Sequence, residues 1–272
     1  MDKGFERYLD AIPCQSSVKE EARAIYSQLS RERNYLLKDY SIKYSQKKTV
    51  PTVRISFQHF SYQHWLESQH TESLFLNAIK KGIPPEKIEI FNGLRRRVSY
   101  HFNQKNHFLL LPGWSMDFSG EGSVLLYGVM IQRLHPSWKI APNAGDTSCV
   151  INELLRPIGS FDGPIPLHAS FGVELTPQGV ICRFYYPIFN QDHFKVGSHH
   201  LYESISFDQA GKVLKKKQYL KIIRGVKLSV ILQDKQLNNL LQKHAPENFF
   251  EREKLIYLFG IEDNAVTLYF RE

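Results

Sequence analysis

Single arginines recur along the chain in stretches where apolar and polar residues alternate. Arg54, Arg97 and Arg183 are the clearest cases. Side chains of a strand point alternately to its two faces, so each arginine shares a face with short polar groups, while its neighbours form an apolar face. The polar faces also carry tyrosines but few Lys or Glu, which exposed strands usually carry. Such faces can meet solvent, as in most antiparallel sheets. They also suit the wet lumen of a barrel, where a ligand could bind.

Composition gives a first indication of the partner. The chain has 272 residues, 13% of them aromatic, and a formal charge of +8 from 35 Lys and Arg against 27 Asp and Glu. A positive balance favours anionic partners: nucleic acid, an acidic membrane surface or a small diphosphate. Composition does not choose among these three.

Cysteine usage and apolar stretches bear on the compartment. Cys14, Cys149 and Cys182 are odd in number and widely spaced, which predicts neither a disulfide framework nor a zinc site. The N-terminal residues lack the apolar region of a secretory signal, and the longest apolar stretch, residues 124–131, is too short for a membrane span. We therefore expect a soluble cytoplasmic protein without a membrane partner.

Histidines raise the question of a metal. His193, His199 and His200 lie near Asp192 and Glu203. Their spacing matches no ligand pattern, so loop histidines are the simpler interpretation and no metal site is predicted.

Helical and strand patterns alternate along the chain. Helices are predicted over residues 17–38, which open with a capping box, around 74–79, and over 148–158 and 234–244. Strands are predicted over 52–60 and 123–132, and as hairpins over 95–104 with 106–111, 167–175 with 179–189, and 254–261 with 265–271. Residues 112–122 look rich in turns. The lysine run 215–217 is interpreted as a solvated turn or helix face.

These elements predict the fold class. No internal repeat, low-complexity tract or linker divides the chain. We expect one α+β domain over residues 1–272 that combines helices with an antiparallel sheet, with residues 1–50 as an N-terminal helical segment packed on it.

Several segments resemble the ABBA aromatic prenyltransferases, particularly the bacterial group that prenylates naphthalenes and hydroxyphenyl acids. Residues 54–60 and 74–84 are similar to that family's first strand and the helix ending in KG-x-x-P, and residues 93–102 to its basic strand. Residues 115–118 with 124–127 resemble its SMDY…VNLY strand pair. Residues 168–175 with 179–184, and residues 253–270, are similar to its later strands.

The resemblance implies a single-domain closed antiparallel β-barrel of about ten strands surrounded by α-helices, the ABBA or PT-barrel fold. It also implies transfer of a prenyl group, dimethylallyl or geranyl, from an isoprenoid diphosphate to an electron-rich aromatic acceptor. The acceptor would be a small molecule or a residue of a peptide. Neither nucleic acid nor a membrane is an implied partner.

The same resemblance assigns roles to residues. Glu174 is the candidate base for the proton lost by the alkylated ring. The candidate diphosphate ligands are Arg54, Arg96, Arg97, Arg183 and Arg271. The candidate pocket residues, with tyrosines whose π-faces would stabilise an allyl cation, are Gln58, Ser99, His101, Tyr127, His168, Tyr185 and Tyr269.

One departure from the family concerns magnesium. The magnesium-requiring branch carries an Asp and Ser pair on its first strand, whereas Ser56 and Gln58 are the nearest residues here. We therefore expect diphosphate binding by Arg and Lys alone, with no cofactor and no Mg²⁺.

Two other functions fit the same residues. A single-stranded nucleic-acid-binding protein would use basic and aromatic side chains on a sheet face, although no RNP-like or OB-like pattern is present. A non-catalytic carrier of a hydrophobic anion would bind the same ligand and leave it intact.

Overall fold

The computed structural model describes slightly more than half of the chain, namely residues 6, 9–10, 15–30, 35–46, 51–59, 84–86, 88–89, 111–118, 125–133, 166–176, 179–188, 194–208, 211–244 and 255–271. The predicted helices around 74–79 and 148–158 lie outside these residues, and so does the predicted hairpin over 95–104 with 106–111 except for its last residue. Arg96, Arg97, Ser99 and His101 also lie outside them.

Ten antiparallel strands form a closed barrel in the order β1-β10-β9-β8-β7-β6-β5-β4-β3-β2. β1 pairs on one side with β2 and on the other with β10, which closes the ring. The strands are β1 (Tyr35–Ser45), β2 (Thr52–His59), β3 (Leu111–Phe118), β4 (Leu125–Arg133), β5 (Ser170–Thr176), β6 (Gly179–Ile188), β7 (His199–Phe207), β8 (Val213–Lys227), β9 (Leu255–Glu262) and β10 (Ala265–Arg271). The antiparallel sheet expected from the sequence is confirmed.

The apolar faces of the described strands form the core. Along β10, Val266, Leu268 and Phe270 are almost fully buried, and Phe184 on β6 and Phe207 on β7 are fully buried. These positions alternate with the polar residues that face the lumen. Apolar side chains therefore lie outside the ring, between strands and helices, and the polar faces point inward.

Helices cover this outer face. Helix α1 (Ser16–Ser30) buries Tyr26, whose hydroxyl lies 3.4 Å from that of Tyr40 on β1. Helix α2 (Leu228–Gln233) follows β8, and helix α3 (Lys235–His244) packs against β10 and buries Leu237 and Leu241. Among the described residues, no helix has the length and apolar character needed to cross a membrane.

Asp234 separates α2 from α3 and caps the second of these helices. Its Oδ1 accepts hydrogen bonds of 3.0 Å from the backbone N–H groups of Gln236 and Leu237. These N–H groups have no partner inside a helix, so the cap satisfies them. Its Oδ2 accepts a further bond of 2.6 Å from the backbone N–H of Lys195, which ties the segment before β7 to this helix start.

The N-terminal prediction was partly wrong. The predicted helix over 17–38 ends at Ser30, and β1 begins at Tyr35. The N-terminal segment therefore contributes a strand to the barrel as well as a helix packed on it. Tyr40, Ile42 and Tyr44 are buried and alternate with Ser41 and Lys43, a period-2 pattern that indicates a strand within the 1–50 segment expected to be helical.

Two other regions were misread. Residues 112–118 look rich in turns by composition but belong to β3, as the resemblance of residues 115–118 to a family strand implies. Backbone pairing with β2 and β4 on both sides overrides the weak strand propensity of Pro112 and Gly113. The lysine run 215–217 is neither a turn nor a helix face, because it lies inside β8. The predicted strands at β2, β4, β5, β6, β9 and β10 and the predicted helix at α3 are confirmed within a few residues.

Candidate active site

A polar cavity of about 140 Å³ opens inside the barrel. It is built from the inward faces of β1, β2, β6, β7, β8, β9 and β10. Five of its lining side chains are cationic and one is a carboxylate, counted over the described residues. The lining side chains are Ser41, Lys43, Thr52, Arg54, Arg183, Ser204, Ser206, Lys215, Lys217, Tyr219, Glu262, Thr267 and Tyr269.

The cationic residues are called the cation cluster below, and they come from four strands. β8 provides two of them, and β1, β2 and β6 provide one each. Register brings β1 and β2 together, since Ser41 pairs with Arg54 and Lys43 with Thr52. Barrel closure thus brings together charges that are far apart in sequence, and positive charge predominates among the described lining residues. The cation cluster consists of Lys43, Arg54, Arg183, Lys215 and Lys217.

Arg183 is held in place by a bidentate ion pair. Its Nη1 and Nη2 donate to the two carboxylate oxygens of Glu174 at 2.6 and 3.0 Å. Its Nε donates to Ser206 Oγ at 2.9 Å, and Nη1 also donates to the Tyr185 hydroxyl at 3.2 Å. Burial would lower the pKa of Arg183, but the charge of Glu174 raises it well above the ordinary value. The guanidinium is therefore charged and fixed in one orientation.

Three lysines of the cation cluster converge on Glu262. Its Oε2 accepts hydrogen bonds from Lys43 Nζ at 2.8 Å and from Lys215 Nζ, and its Oε1 lies 3.2 Å from Lys217 Nζ. Although burial would raise the pKa of Glu262, the ammonium groups lower it to about 2. Burial and the charge of Lys43 lower the pKa of Lys215 to about 8. One buried carboxylate thus partly neutralises three cations.

Lys217 lies deepest among these lysines. Its ammonium donates to Thr267 Oγ1 and to the Tyr269 hydroxyl, both at 3.0 Å. A Cβ at Gly260 on the neighbouring strand would lie 2.4 Å from Lys217 Cε, so this glycine leaves the room that the lysine stem occupies. The lack of a side chain at this position of β9 therefore helps to position the Lys217 ammonium group.

Three tyrosines, called the tyrosine row, lie beside the cation cluster. The ring of Tyr219 is 6.1 Å from those of Tyr185 and Tyr269, measured between centroids. Lys217 Nζ lies 4.9 Å from the Tyr219 centroid and 5.3 Å from that of Tyr269. Burial raises the pKa of all three hydroxyls, which keeps them neutral at ordinary pH. Their π-faces are thus already close to a cation.

The tyrosine row has a simple origin in the strands. Tyr185 follows Arg183 by two residues on β6, and Tyr219 follows Lys217 by two on β8. On β10, Tyr269 likewise follows Thr267, which accepts the Lys217 hydrogen bond. Strands β6, β8 and β10 alternate in an antiparallel barrel and so run in the same direction. Each tyrosine therefore lies two residues further along its strand than its polar residue, and all three lie toward the same end of the barrel.

The structure brings together part of the predicted site. Arg54, Arg183 and Tyr269 line the cavity, and Tyr185 borders it through its bond to Arg183. Glu174 is buried behind Arg183. For three further candidates the structure describes only the backbone register: Gln58 pairs with Gly113, Tyr127 with Ser115 and Arg271 with Asp39.

The structure places His168 outside the strand predicted for it. It was assigned to the polar face of a strand beginning at 167, but β5 begins at Ser170 and His168 occupies the preceding turn with a φ of 75°. Its side chain is exposed and its ring lies 6.5 Å from that of His200, outside the cavity lining. Within the residues that the structure describes, no cluster of three or more His, Cys, Asp or Glu is arranged to hold a metal.

Sequence reasoning missed ten of the thirteen lining side chains, including four charged ones: Lys43, Lys215, Lys217 and Glu262. The signal for two of them was present, because Lys215, Lys217 and Tyr219 repeat at every second residue, the period of a strand face. Lys216 lies between the two lysines and makes this alternation hard to recognise in the sequence. It lies on the opposite face and is exposed.

Comparisons with solved structures agree with this architecture. AnaPT from Neosartorya fischeri superposes with a TM-score of 0.55 at 11% sequence identity, over 98% of this chain and 90% of that one. The 6-dimethylallyltryptophan synthase of Micromonospora olivasterospora, solved in complex with DMASPP and Trp, gives a TM-score of 0.52 at 11% identity, over 93% of this chain and 91% of that one. No family model matches the sequence, and neither does any curated protein.

At such low identities the likeness concerns the fold. The chain has the fold of the aromatic prenyltransferases, as its sequence resemblance to the ABBA family predicts. Chemistry has to be argued from the cavity itself.

Proposed function

We propose that this protein transfers a prenyl group from an isoprenoid diphosphate to an electron-rich aromatic ring. The observation that carries the proposal is the contact between the cation cluster and the tyrosine row inside a closed barrel. A prenyl diphosphate has the same division, a highly charged anion joined to an apolar allylic chain. The diphosphate of such a donor would contact the cation cluster, and its allylic chain would contact the tyrosine row.

The cation cluster suits the leaving group. As the C–O bond of the donor breaks, negative charge grows on the diphosphate, and groups fixed in advance stabilise that charge without reorganising. Arg183 is fixed by Glu174, Ser206 and Tyr185, and Lys217 by Thr267 and Tyr269. With several cations at one site, we propose that the diphosphate is bound without Mg²⁺.

The tyrosine row suits the allylic cation that remains. Aromatic faces attract a cation through their quadrupole, and a neutral phenol is a weak nucleophile. Burial keeps these hydroxyls protonated. The row would therefore stabilise the cation without capturing it, and the enclosing barrel would limit attack by water.

For Glu174 we propose a role different from the one that the sequence predicts. Both of its oxygens accept hydrogen bonds from Arg183, and its side chain is 7% exposed. Both oxygens of this carboxylate are thus directed at Arg183. We therefore propose that it positions Arg183, and that the proton of the alkylated ring leaves to a bound water or to the departing diphosphate.

The test is a product assay with matched lysine variants. The purified protein is incubated with dimethylallyl or geranyl diphosphate and a panel of phenols, indoles and tryptophan, with and without EDTA, and analysed by mass spectrometry. We expect a product with the mass of the acceptor plus one prenyl unit, unaffected by EDTA. Lys217→Ala and Arg183→Ala should abolish it. Lys216→Ala removes the same charge from the exposed face of β8 and should not.

Other outcomes identify the alternatives. Donor binding by calorimetry without product for any acceptor would favour a carrier. Absence of both binding and product would contradict the proposal, and steeply salt-dependent binding of single strands would then favour a nucleic-acid function. Activity that is lost in EDTA and restored only by Mg²⁺ would contradict the metal-free part alone.

A further inference from the structure

Glu262 is an anion inside a site built from cations. It is the last residue of β9, and its side chain is 8% exposed. It contacts Lys43 from β1 and both Lys215 and Lys217 from β8, so it bridges the two strands that flank the β9–β10 hairpin. A negative charge in a site for anions would repel the ligand. The presence of the Glu262 carboxylate among these lysines therefore requires an explanation.

The cost of concentrating cations provides that explanation. Like charges that are partly buried repel one another strongly, since the interior screens them less than water does. Burial and the neighbouring charge of Lys43 already lower the pKa of Lys215 and of Lys217. A resident carboxylate reduces this repulsion when no ligand is bound. A single charge cannot neutralise three ammonium groups, so the site remains attractive to a further anion.

The same position makes Glu262 a competitor of the ligand. A diphosphate bound by Lys215 and Lys217 would approach a carboxylate that accepts hydrogen bonds from these same two ammonium groups. The two anions would repel each other and share a limited number of N–H donors. Binding would then be weaker than the lysines alone allow, and release would be faster.

We propose that Glu262 is a resident counter-ion that holds Lys43, Lys215 and Lys217 together in the empty site, competes with diphosphate for them, and so limits the affinity of the site. This inference rests on the proposed function only in its use of a diphosphate at this cavity. It makes Glu262 a positioning and affinity-setting residue, distinct from the residues that would bind the leaving group.

Inorganic diphosphate is the probe, because it tests the anion site without requiring prenyl transfer. Its dissociation constant is measured by calorimetry for the wild type, Glu262→Gln and Asp263→Asn. The last variant is the matched control, since Asp263 is the next residue, carries the same charge and is exposed. We expect Glu262→Gln to bind about tenfold more tightly, and Asp263→Asn to bind like the wild type.

The ligand-free variant should also be less stable. Without the carboxylate the lysines repel each other, so the melting temperature of Glu262→Gln should fall, and diphosphate should raise it by more than it raises that of the wild type. Glu262→Asp, which keeps the charge, should restore wild-type affinity. A purely structural residue would lower stability without tightening binding.

Three results would overturn the inference. The first is a folded Glu262→Gln variant that binds diphosphate no more tightly than the wild type. The second is an Asp263→Asn variant that gains as much affinity as Glu262→Gln. The third, if Glu262→Gln is unfolded without ligand, is that diphosphate does not restore its thermal transition. Tighter binding in a protein that prenylates no acceptor would leave this inference standing and reject the proposed function.

Discussion

Two carboxylates at or beside the cavity, counted over the described residues, are bound to cations. Glu174 orients one arginine, and Glu262 contacts three lysines. Removing one partner of a buried pair leaves the other charge without compensation, which usually costs more than the pair itself contributes. Substitution of either carboxylate should therefore act mainly through the cations it holds.

For Glu174 this reasoning gives a prediction that separates positioning from base catalysis. Glu174→Gln loses part of the bidentate bond to Arg183, so we expect the dissociation constant for inorganic diphosphate to rise about tenfold, with a matching rise in KM for the donor. If Glu174 were the base, kcat would fall while diphosphate affinity stayed unchanged. Glu203→Gln is the control, because Glu203 accepts a hydrogen bond from Tyr186, whereas Arg183 and Tyr185 lie on the other face of β6.

Residue type and strand period explain which site residues could be predicted. Arg54, Arg183 and Tyr269 stand as single polar groups among apolar neighbours, so alternation alone assigns them to one face. Lys215 and Lys217 are adjacent to a third lysine that faces outward, and a run of three charges resembles an exposed loop. Glu262 follows the apolar part of β9 and precedes a turn, where a carboxylate is unremarkable.

The strands position the site residues mainly through the partners they pair with, and less through their own local sequence. β1 joins β10 to β2, and this places Ser41 between Arg54 and Tyr269. No local signal in residues 35–45 specifies partners so distant in sequence. The hairpins β5–β6 and β9–β10 were predictable because their partners are consecutive, whereas β3 and β8 gain strand structure from neighbours on both sides.

The close packing of β8 against β9 at Gly260 leads to a prediction about these two strands. In Gly260→Ala, the new Cβ would come within 3 Å of Lys217 Cε and Nζ, so the lysine has to move while the backbone pairing persists. We expect a folded protein whose dissociation constant for inorganic diphosphate, measured by calorimetry, rises about tenfold. The same change made in Lys217→Ala should have little further effect, which a double-mutant cycle would measure. An equal loss in both backgrounds would point to distortion of β9 instead.

The whole molecule has an unusual distribution of polarity. Its apolar side chains lie outside the ring under helices such as α1 and α3, while charged groups occupy the lumen. The free energy of unfolding therefore depends on the protonation of interior groups as well as on the packed outer layer.

Acid should reveal this dependence. The pKa of Glu262 is about 2 when folded against an ordinary value of 4.5, so its stabilising contribution is present above about pH 4.5 and is lost as the pH falls toward 2. This contribution is on the order of 3 kcal/mol, because one pKa unit corresponds to about 1.4 kcal/mol. Urea unfolding at pH 3 and pH 6 should show a smaller difference for Glu262→Gln than for the wild type. An unchanged difference would contradict the assigned pKa.

Closure of the ring has a consequence for synthesis of the protein. Tyr40 on β1 pairs with Phe270 on β10, 230 positions later in the chain. At ordinary rates of translation, β1 waits roughly 10 to 50 s for this partner to be made. During that time one edge of β1 offers unpaired N–H and C=O groups to any neighbouring strand. The nascent barrel is thus exposed to mispairing until its last strand leaves the ribosome, so chaperone supply and translation speed should affect the yield of folded protein.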